Sequence, residues 1–516
     1  MHYRRAGRGP ALVMLHQSPL SSADLVSTMS PLAEDFTCLA FDTAGYGHSD
    51  PLGRADPAID DYADAMIAAL DQLGVGRFAL FGNHTGSCIA AAIAARRPDR
   101  VSAFVADGYV AFSDEERLDF TTHYTPSVAP RWDASHLVWI WARMRNEYAF
   151  FPWHRAGLSL RVDVDLPGPP MFHERLLDWL RAGEDYWIGY RAAFRFSGAT
   201  TIGRVRCPTL LVTMQPDPLV THLERLNEIG PNISIVRTGW DRGELVERSR
   251  DFLRRHAGDA PTVPTATEPH ATGARQTFLT AGAEQYYARA ADGEGRPVVI
   301  IHEAGQSSAQ GQALFARLAG VHRVLAADRP GHGESTKGTV DSFLQAIRAW
   351  AGEPVDVIAL GGAAGAATAL IDRGLPVRKL AMVAPPTVAA ATLERWERLG
   401  ALPLTPDWYG GYLLQAWHMA RDAGLFDPWF ERNRGGISRQ EPTIDPQDVH
   451  RRTVDLLKSL GAPNARREEW RRLTQQRPSS MIGVFGSSSG QVFGGRADVS
   501  VTGGETVPSL FEFLRS

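Results

Sequence analysis

The sequence predicts an α/β protein of two tandem domains, each a mostly parallel sheet with helices on both faces, the first also carrying a helical cap. Three observations carry this. Short, wholly apolar runs alternate with amphipathic or alanine-rich stretches, the pattern of buried parallel strands joined by crossover helices. Residues 78–97, FALFGNHTGSCIAAAIAARR, read as a strand, a sharp glycine-flanked turn and a helix. Finally, one strand-and-turn pattern returns late in the chain at a constant offset.

A chain of 516 residues suggests two domains of about 250 residues each. Hydrophobic residues make up 44% and charged residues 22%, with a net charge of -4, a globular profile without the basic excess that nucleic-acid binding needs. The start, MHYRRAGRGP, precedes no apolar h-region, and no stretch approaches the roughly 20 apolar residues of a membrane span. The expectation is a cytoplasmic protein without membrane or nucleic-acid partners; the oligomeric state stays open. Cys38, Cys88 and Cys207 are odd in number and lack C-x-x-C spacing, which argues against disulfides and a zinc site. Cys88 lies in an alanine-rich helix and reads as core.

In chain order, residues 11–16 form a strand-like run ending in His16-Gln17-Ser18-Pro19, and residues 36–41 form another ending before Asp42 and TAGYGHSD. Residues 298–303 and 323–327 repeat this grammar, ending in Asp328 and RPGHGES. His302 and Asp328 both stand 286 residues after His16 and Asp42, so a tandem duplication is expected. Between the copies, residues 258–276 are rich in Pro, Thr, Ala and Gly and read as a linker. The expected organisation is a first domain over 1–257 with a cap at about 112–200, and a second over 277–516. Ligands of such sheets bind at the carboxyl ends of the strands, where His16, Asp42 and His84 fall.

These motifs together resemble the α/β-hydrolase family over nearly the whole chain. The matching pieces are His16–Pro19, the D-x-x-G-x-G-x-S turn (Asp42–Ser49), the elbow Gly82–Gly86, the acid-loop phrase around Asp217 and a closing helix ending Asp251-Phe252-Leu253. The resemblance implies a nucleophile at the middle of the elbow, then an acid, then a histidine. Here the elbow residue is His84, the acid is Asp217, and Trp240 stands where the family has its histidine. A serine-esterase triad is therefore not expected.

Imidazole is both a competent base and a nucleophile near neutral pH. His84 needs one ring nitrogen held, and Asp217, or alternatively Asp107 at the end of strand 103–107, is expected to accept its Nδ1 proton. The backbone N–H of Thr85 offers an oxyanion donor, and the resemblance supplies a second at the N–H of Gln17. His136, in the first turn of a helix expected over 134–147 and capped by Asp133, either faces the pocket as a second acid or base or is a solvated or core residue. His123, His154, His173 and His222 show no ligand spacing, so no metal and no cofactor are expected. The cap holds Trp132, Trp139, Trp141, Trp153, Trp179 and Trp187, most of them expected in its core, around a dry pocket for an apolar or ring-bearing substrate.

In the second half the elbow pattern reads Gly361-Gly362-Ala363-Ala364-Gly365, the acid loop is residues 485–490 without a carboxylate, and Thr502-Gly503-Gly504 has glycine in place of histidine. This half is expected to be non-catalytic. The first is expected to act on a small, apolar or aromatic carbonyl compound by ester or carbon–carbon bond hydrolysis. Cofactor-free lyase or decarboxylase chemistry, or a double pseudoenzyme that binds a ligand or partner, are the alternatives.

Overall fold

The computed structural model describes residues 1–227, 229–258, 273–385, 390–400, 402–475, 481–485 and 499–502, with Leu510 and Leu514. They fall into two compact units, Met1–Ala129 with Ser135–Glu268, and Pro130–Ala134 with Pro269–Ser516. No helix among the described residues is long and apolar enough to cross a membrane.

In the first unit, β1 (Tyr3–Ala6), β2 (Ala11–Leu15), β3 (Thr37–Phe41), β4 (Phe78–Asn83), β5 (Val101–Asp107), β6 (Thr209–Met214) and β7 (Ile233–Thr238) form one sheet in the order β1-β3-β2-β4-β5-β6-β7. Only β1 runs antiparallel within it, against β3. The apolar strands are buried on both faces, and their side chains divide with period two. Val13, Leu39 and Leu80 pack with Tyr62 and Met66 of helix Ile59–Gln72 and Ile89 of helix Thr85–Arg96. Leu12, Met14 and Phe81 pack on the other face with Leu245 and Leu253 of helix Arg242–His256. The cap lies between β5 and β6 and includes helices Asp114–Asp119, Ser135–Glu147, Pro169–Ala182 and Trp187–Arg195. Cys38, Cys88 and Cys207 are free and buried, and burial pushes all three thiols upward, Cys38 to about 12. Cys88 is thus a packing residue.

The second unit has its own sheet: β8 (Ala274–Ala281), β9 (Glu284–Ala291), β10 (Gly295–Ile301), β11 (His322–Ala327), β12 (Val355–Leu360), β13 (Val377–Val383), β14 (Met481–Phe485) and β15 (Val499–Thr502). Its order is β15-β14-β13-β12-β10-β11-β9-β8, with β8 and β9 antiparallel. β8 begins inside the stretch expected as linker, which ends at 276. It pairs with β9 through backbone groups while its side chains stay half exposed, so no apolar run announces it. Residues 259–272 of that stretch lie outside the described residues, as do 486–490 and 503–504 of the second half's expected acid and histidine positions.

Local hydrogen bonds recur between the sheets. His16 Nδ1 donates to the Gln17 carbonyl (2.8 Å) while Nε2 accepts from the Thr43 N–H (3.0 Å). His302 bonds likewise to the Glu303 carbonyl (2.8 Å) and the Arg329 N–H (2.9 Å). Asp42 accepts from the N–H groups of Ser22 (2.7 Å) and His48 (2.8 Å), and Asp328 from those of Ser308 (2.6 Å) and Glu334 (2.9 Å).

Candidate active site

His84 follows the last residue of β4 at φ 46°, a region L-residues seldom occupy, and helix Thr85–Arg96 starts directly after it. The turn is possible because its glycines allow close approach. A Cβ on Gly82 would lie 2.5 Å from the Gly86 carbonyl oxygen, and one on Gly86 would lie 2.1 Å from that of Leu15. His84's own N–H donates to the Asp107 carbonyl (2.9 Å), which locks the turn to the end of β5.

The His84 side chain is about a third exposed (32%), and its Nε2 lies 2.7 Å from Asp217 Oδ2. The expected partner is met, but through Nε2 and not Nδ1. Gly108 leaves room for this edge of the ring: at φ 69° it lies beside it, and a Cβ there would stand 2.3 Å from His84 Cδ2 and 2.5 Å from Nε2. Asp217 Oδ1 accepts from the Leu219 N–H (2.8 Å), so the carboxylate is held at both oxygens. Burial disfavours the charged imidazolium, yet the charge of Asp217 and its hydrogen bond outweigh this and hold the His84 pKa above its ordinary value. Burial likewise opposes ionisation of Asp217, but His84 and the Leu219 N–H draw its pKa below the usual value.

Asp107 is not the orienting group. It is buried, and its Oδ2 accepts from Asn83 Nδ2 (3.0 Å) and pairs with Arg242 Nη1 (2.5 Å); burial raises its pKa against the opposing charge of Arg242. Arg242 and Gly108 were not singled out in the sequence. The Asp-Gly pair at the end of a strand, a turn signal, is what could have pointed to Gly108.

His84 and Asp217 line a cavity of about 510 Å³. Gln17 and Thr85 line it too, and the Thr85 N–H lies in the first turn of its helix, where no intrahelical acceptor exists. His16 is not in the lining; it is wholly buried, and its bond to the Gln17 carbonyl fixes that peptide, a supporting role. Trp240 is also absent from the lining: it is 61% exposed and its indole Nε1 donates to the Asp163 carbonyl (3.3 Å). His136 is buried in helix Ser135–Glu147 and does not line the cavity either. His222 is buried, accepts from the Ala111 N–H at Nδ1 (3.1 Å), and is held neutral by burial with its pKa lowered to about 4.

Phe112, Tyr124, Phe151, Tyr190 and Phe194 form an aromatic wall, and Trp179 is the one of the six tryptophans named above that reaches it. Charged side chains line the cavity as well. Arg175 Nη2 pairs there with Asp24 Oδ1 (3.2 Å), and Glu147 Oε1 accepts from the hydroxyls of Tyr124 (3.5 Å) and Tyr190 (3.4 Å). Elsewhere in the cap His123 and His154, which show no ligand spacing in the sequence, come together with Asp119.

Residues 10–232 match the family model described as alpha/beta hydrolase fold. The chain is 34% identical over 188 residues to 2-hydroxymuconate semialdehyde hydrolase of Pseudomonas sp. (strain CF600), covering 36% of this chain and 63% of that protein. It is 31% identical over 119 residues to 2-(acetamidomethylene)succinate hydrolase of Mesorhizobium japonicum, covering 23% and 42%. It thus spans less than two thirds of either relative. A solved esterase from Thermogutta terrifontis aligns with a TM-score of 0.40 at 17% identity, covering 49% of this chain and 93% of that one. From the match over residues 10–232 and the strand, elbow and helix that fall within it, the first unit has the α/β-hydrolase fold.

Proposed function

We propose that the first unit is a hydrolase of small apolar or aromatic carbonyl compounds, with His84 as general base and the N–H groups of Gln17 and Thr85 as the oxyanion site. The observation that carries this is the 2.7 Å bond from His84 Nε2 to Asp217 at the wall of a cavity lined by aromatic and charged side chains. With Nε2 bound to Asp217, Nδ1 is the nitrogen left to take a proton. Nδ1 sits next to the ring's own Cβ, a cramped position for a covalent bond to substrate, so base catalysis is favoured over nucleophilic catalysis. Water attacks the carbonyl carbon as Nδ1 takes its proton; the oxyanion faces the two N–H groups; on collapse the leaving group takes that proton back. The relatives named above are hydrolases of small compounds, in line with this class.

The second unit is, on this proposal, a degenerate duplicate without catalytic function. The recurrence of the His16 and Asp42 hydrogen bonds at His302 and Asp328, and the shared strand order β3-β2-β4-β5 and β11-β10-β12-β13, support common descent.

The test is turnover of a panel of activated esters, β-diketones and aromatic keto acids in ¹⁸O-water. Label in the acid product, lost in His84→Ala, is the expected result. Turnover without label means lyase chemistry at the same base, and no turnover of any compound favours a ligand-binding role.

A further inference from the structure

A second cluster of chemically active side chains lies in the cap. Helix Asp114–Asp119 runs into a single π-helical turn, Phe120–Tyr124. Such turns insert one extra residue and recur at functional sites. Here the turn sets His123 Nδ1 3.0 Å from Asp119 Oδ1. His154, beyond helix Ser135–Glu147, brings its Nε2 to 3.2 Å from Asp119 Oδ2. The three ligand atoms all lie within 4.8 Å of one another.

We propose that Asp119, His123 and His154 bind Zn²⁺ through one carboxylate oxygen and two imidazole nitrogens, with the fourth position open to solvent. The donor set suits a borderline-soft cation. Tetrahedral ligands at about 2.0–2.2 Å from zinc stand roughly 3.3–3.5 Å apart. From the single oxygen Oδ1 of Asp119, the separations to His123 Nδ1 and His154 Nε2 are 3.0 and 3.4 Å, already close to this. The remaining imidazole–imidazole edge closes by rotation of His123, whose side chain is 61% exposed, while Asp119 and His154 at 10% and 14% form the fixed side.

Two features set the affinity. Arg155 Nη2 lies 2.9 Å from Asp119 Oδ1 and competes with a cation, but that side chain is half exposed and free to swing out. The His154 Nδ1 is buried without a hydrogen-bond partner, so the second contact that usually orients a zinc-bound imidazole is missing. Binding weaker than at structural zinc sites follows. The site joins two cap segments whose neighbours Tyr124 and Phe151 wall the cavity, so an occupied site stiffens that wall.

The experiment uses the full chain, tag removed and stripped with a chelator, in equilibrium dialysis against Zn²⁺, with Co²⁺ as an optical reporter of tetrahedral coordination. One equivalent is expected to bind. His123→Ala, which alters an exposed side chain, and His154→Ala should each weaken binding by about 10-fold or more. Arg155→Ala should tighten it several-fold, which scattered surface histidines would not reproduce. The proposal is overturned if the wild type binds no stoichiometric metal, or if it binds with an affinity that neither histidine substitution lowers.

Discussion

The two strand-to-helix turns at the centres of the two sheets have the same backbone plan and opposite interiors. In the first, Asn83 lies opposite Asp107 and is followed by His84 at φ 46°; in the second, Leu360 lies opposite Val383 and is followed by Gly361 at φ 51°. Strand register therefore pairs His84 with Gly361 and Thr85 with Gly362, which corrects the assignment of the turn residue to Ala363. Ala363 sits two residues further on in an ordinary helical conformation (φ -61°). Gln17 lines an open cavity, whereas Glu303, 286 residues later, turns its Oε1 onto the Gly362 N–H at 2.7 Å. A helix also lies against the second turn: a Cβ on Gly365 would stand 2.3 Å from the Glu469 carbonyl oxygen, and one on Gly362 3.3 Å from Trp470 Nε1. One turn thus leaves a histidine at the wall of a cavity, whereas the other has its first N–H bonded to a carboxylate. The difference lies in a few side chains, and the fold alone would not have told the two apart.

If the first turn works as proposed, His84→Ala is the largest break in that contrast. Turnover should fall by about 10³-fold, the usual range for loss of a general base, with little change in melting temperature. Unchanged turnover would remove His84 from the proposed reaction. Asp217→Asn should cost about 10²-fold and also move the pH profile. The working form is the free base, so the rate rises with pH through the His84 pKa. Asp217 holds that pKa above its ordinary value; in its absence the rising limb should shift to lower pH. A limb that stays in place would mean that another group titrates.

How much of this was legible beforehand depended on whether a residue acts through its backbone neighbourhood or through where its side chain points. Gly82, Gly86 and Asp42 could be read because their roles are local: close approach and a turn. The part His16 plays, holding the Gln17 peptide from outside the cavity lining, was not read. The pairing of His84 with Asp217 was legible as a pair of positions, but not that it runs through Nε2, nor that the ring needs the space left by Gly108. Trp240 was carried over by position, yet its indole turns to the Asp163 carbonyl outside the cavity. His136 opens its helix as expected but faces inward. The turn in the second half was misassigned because Gly361 and Gly365 have the spacing of Gly82 and Gly86, whereas the pairing of β12 with β13 puts Ala359 and Ala363 at those two places. The meeting of Asp119, His123 and His154 needs the cap folded, since residues 124–153 intervene.

Gly108→Ala sharpens the comparison at smaller cost. The first unit has Gly108 after Asp107, where the second has Ala384, itself at φ 48°, after Val383. A methyl group at 108 would occupy space held by the His84 ring, so the ring must leave Asp217 or the turn must shift. Turnover should drop by about 10-fold, consistent with partial loss of base positioning, and stability by about 1–2 kcal/mol for the left-handed conformation. The diagnostic reading is the rising limb of the pH profile, which should move in the same direction as in Asp217→Asn. A drop in turnover with the limb unmoved would mean a general loss of packing instead.

The smallest expected effect on turnover is at the second turn. Ala363→Ser should leave the rate unchanged, because residue 363 ends the 3-10 turn Gly361–Ala363, two residues past the position that His84 holds in the first unit. Gly361→Ser is the stricter version, since it places a hydroxyl at the position that His84 holds in the first unit. Its Cβ would stand 2.1 Å from Glu303 Oε1, and its φ of 51° strains any side chain, so a stability loss of about 1–2 kcal/mol is expected by thermal unfolding. No turnover should appear in return, even in a His84→Ala background where the first unit is silent. A lone serine hydroxyl is a poor nucleophile, and here its nearest oxyanion donor, the Gly362 N–H, is already bound by the Glu303 carboxylate. Esterase activity in the His84→Ala, Gly361→Ser double variant would mean that the second unit still keeps a working base and an accessible site, and the contrast between the two turns would fail.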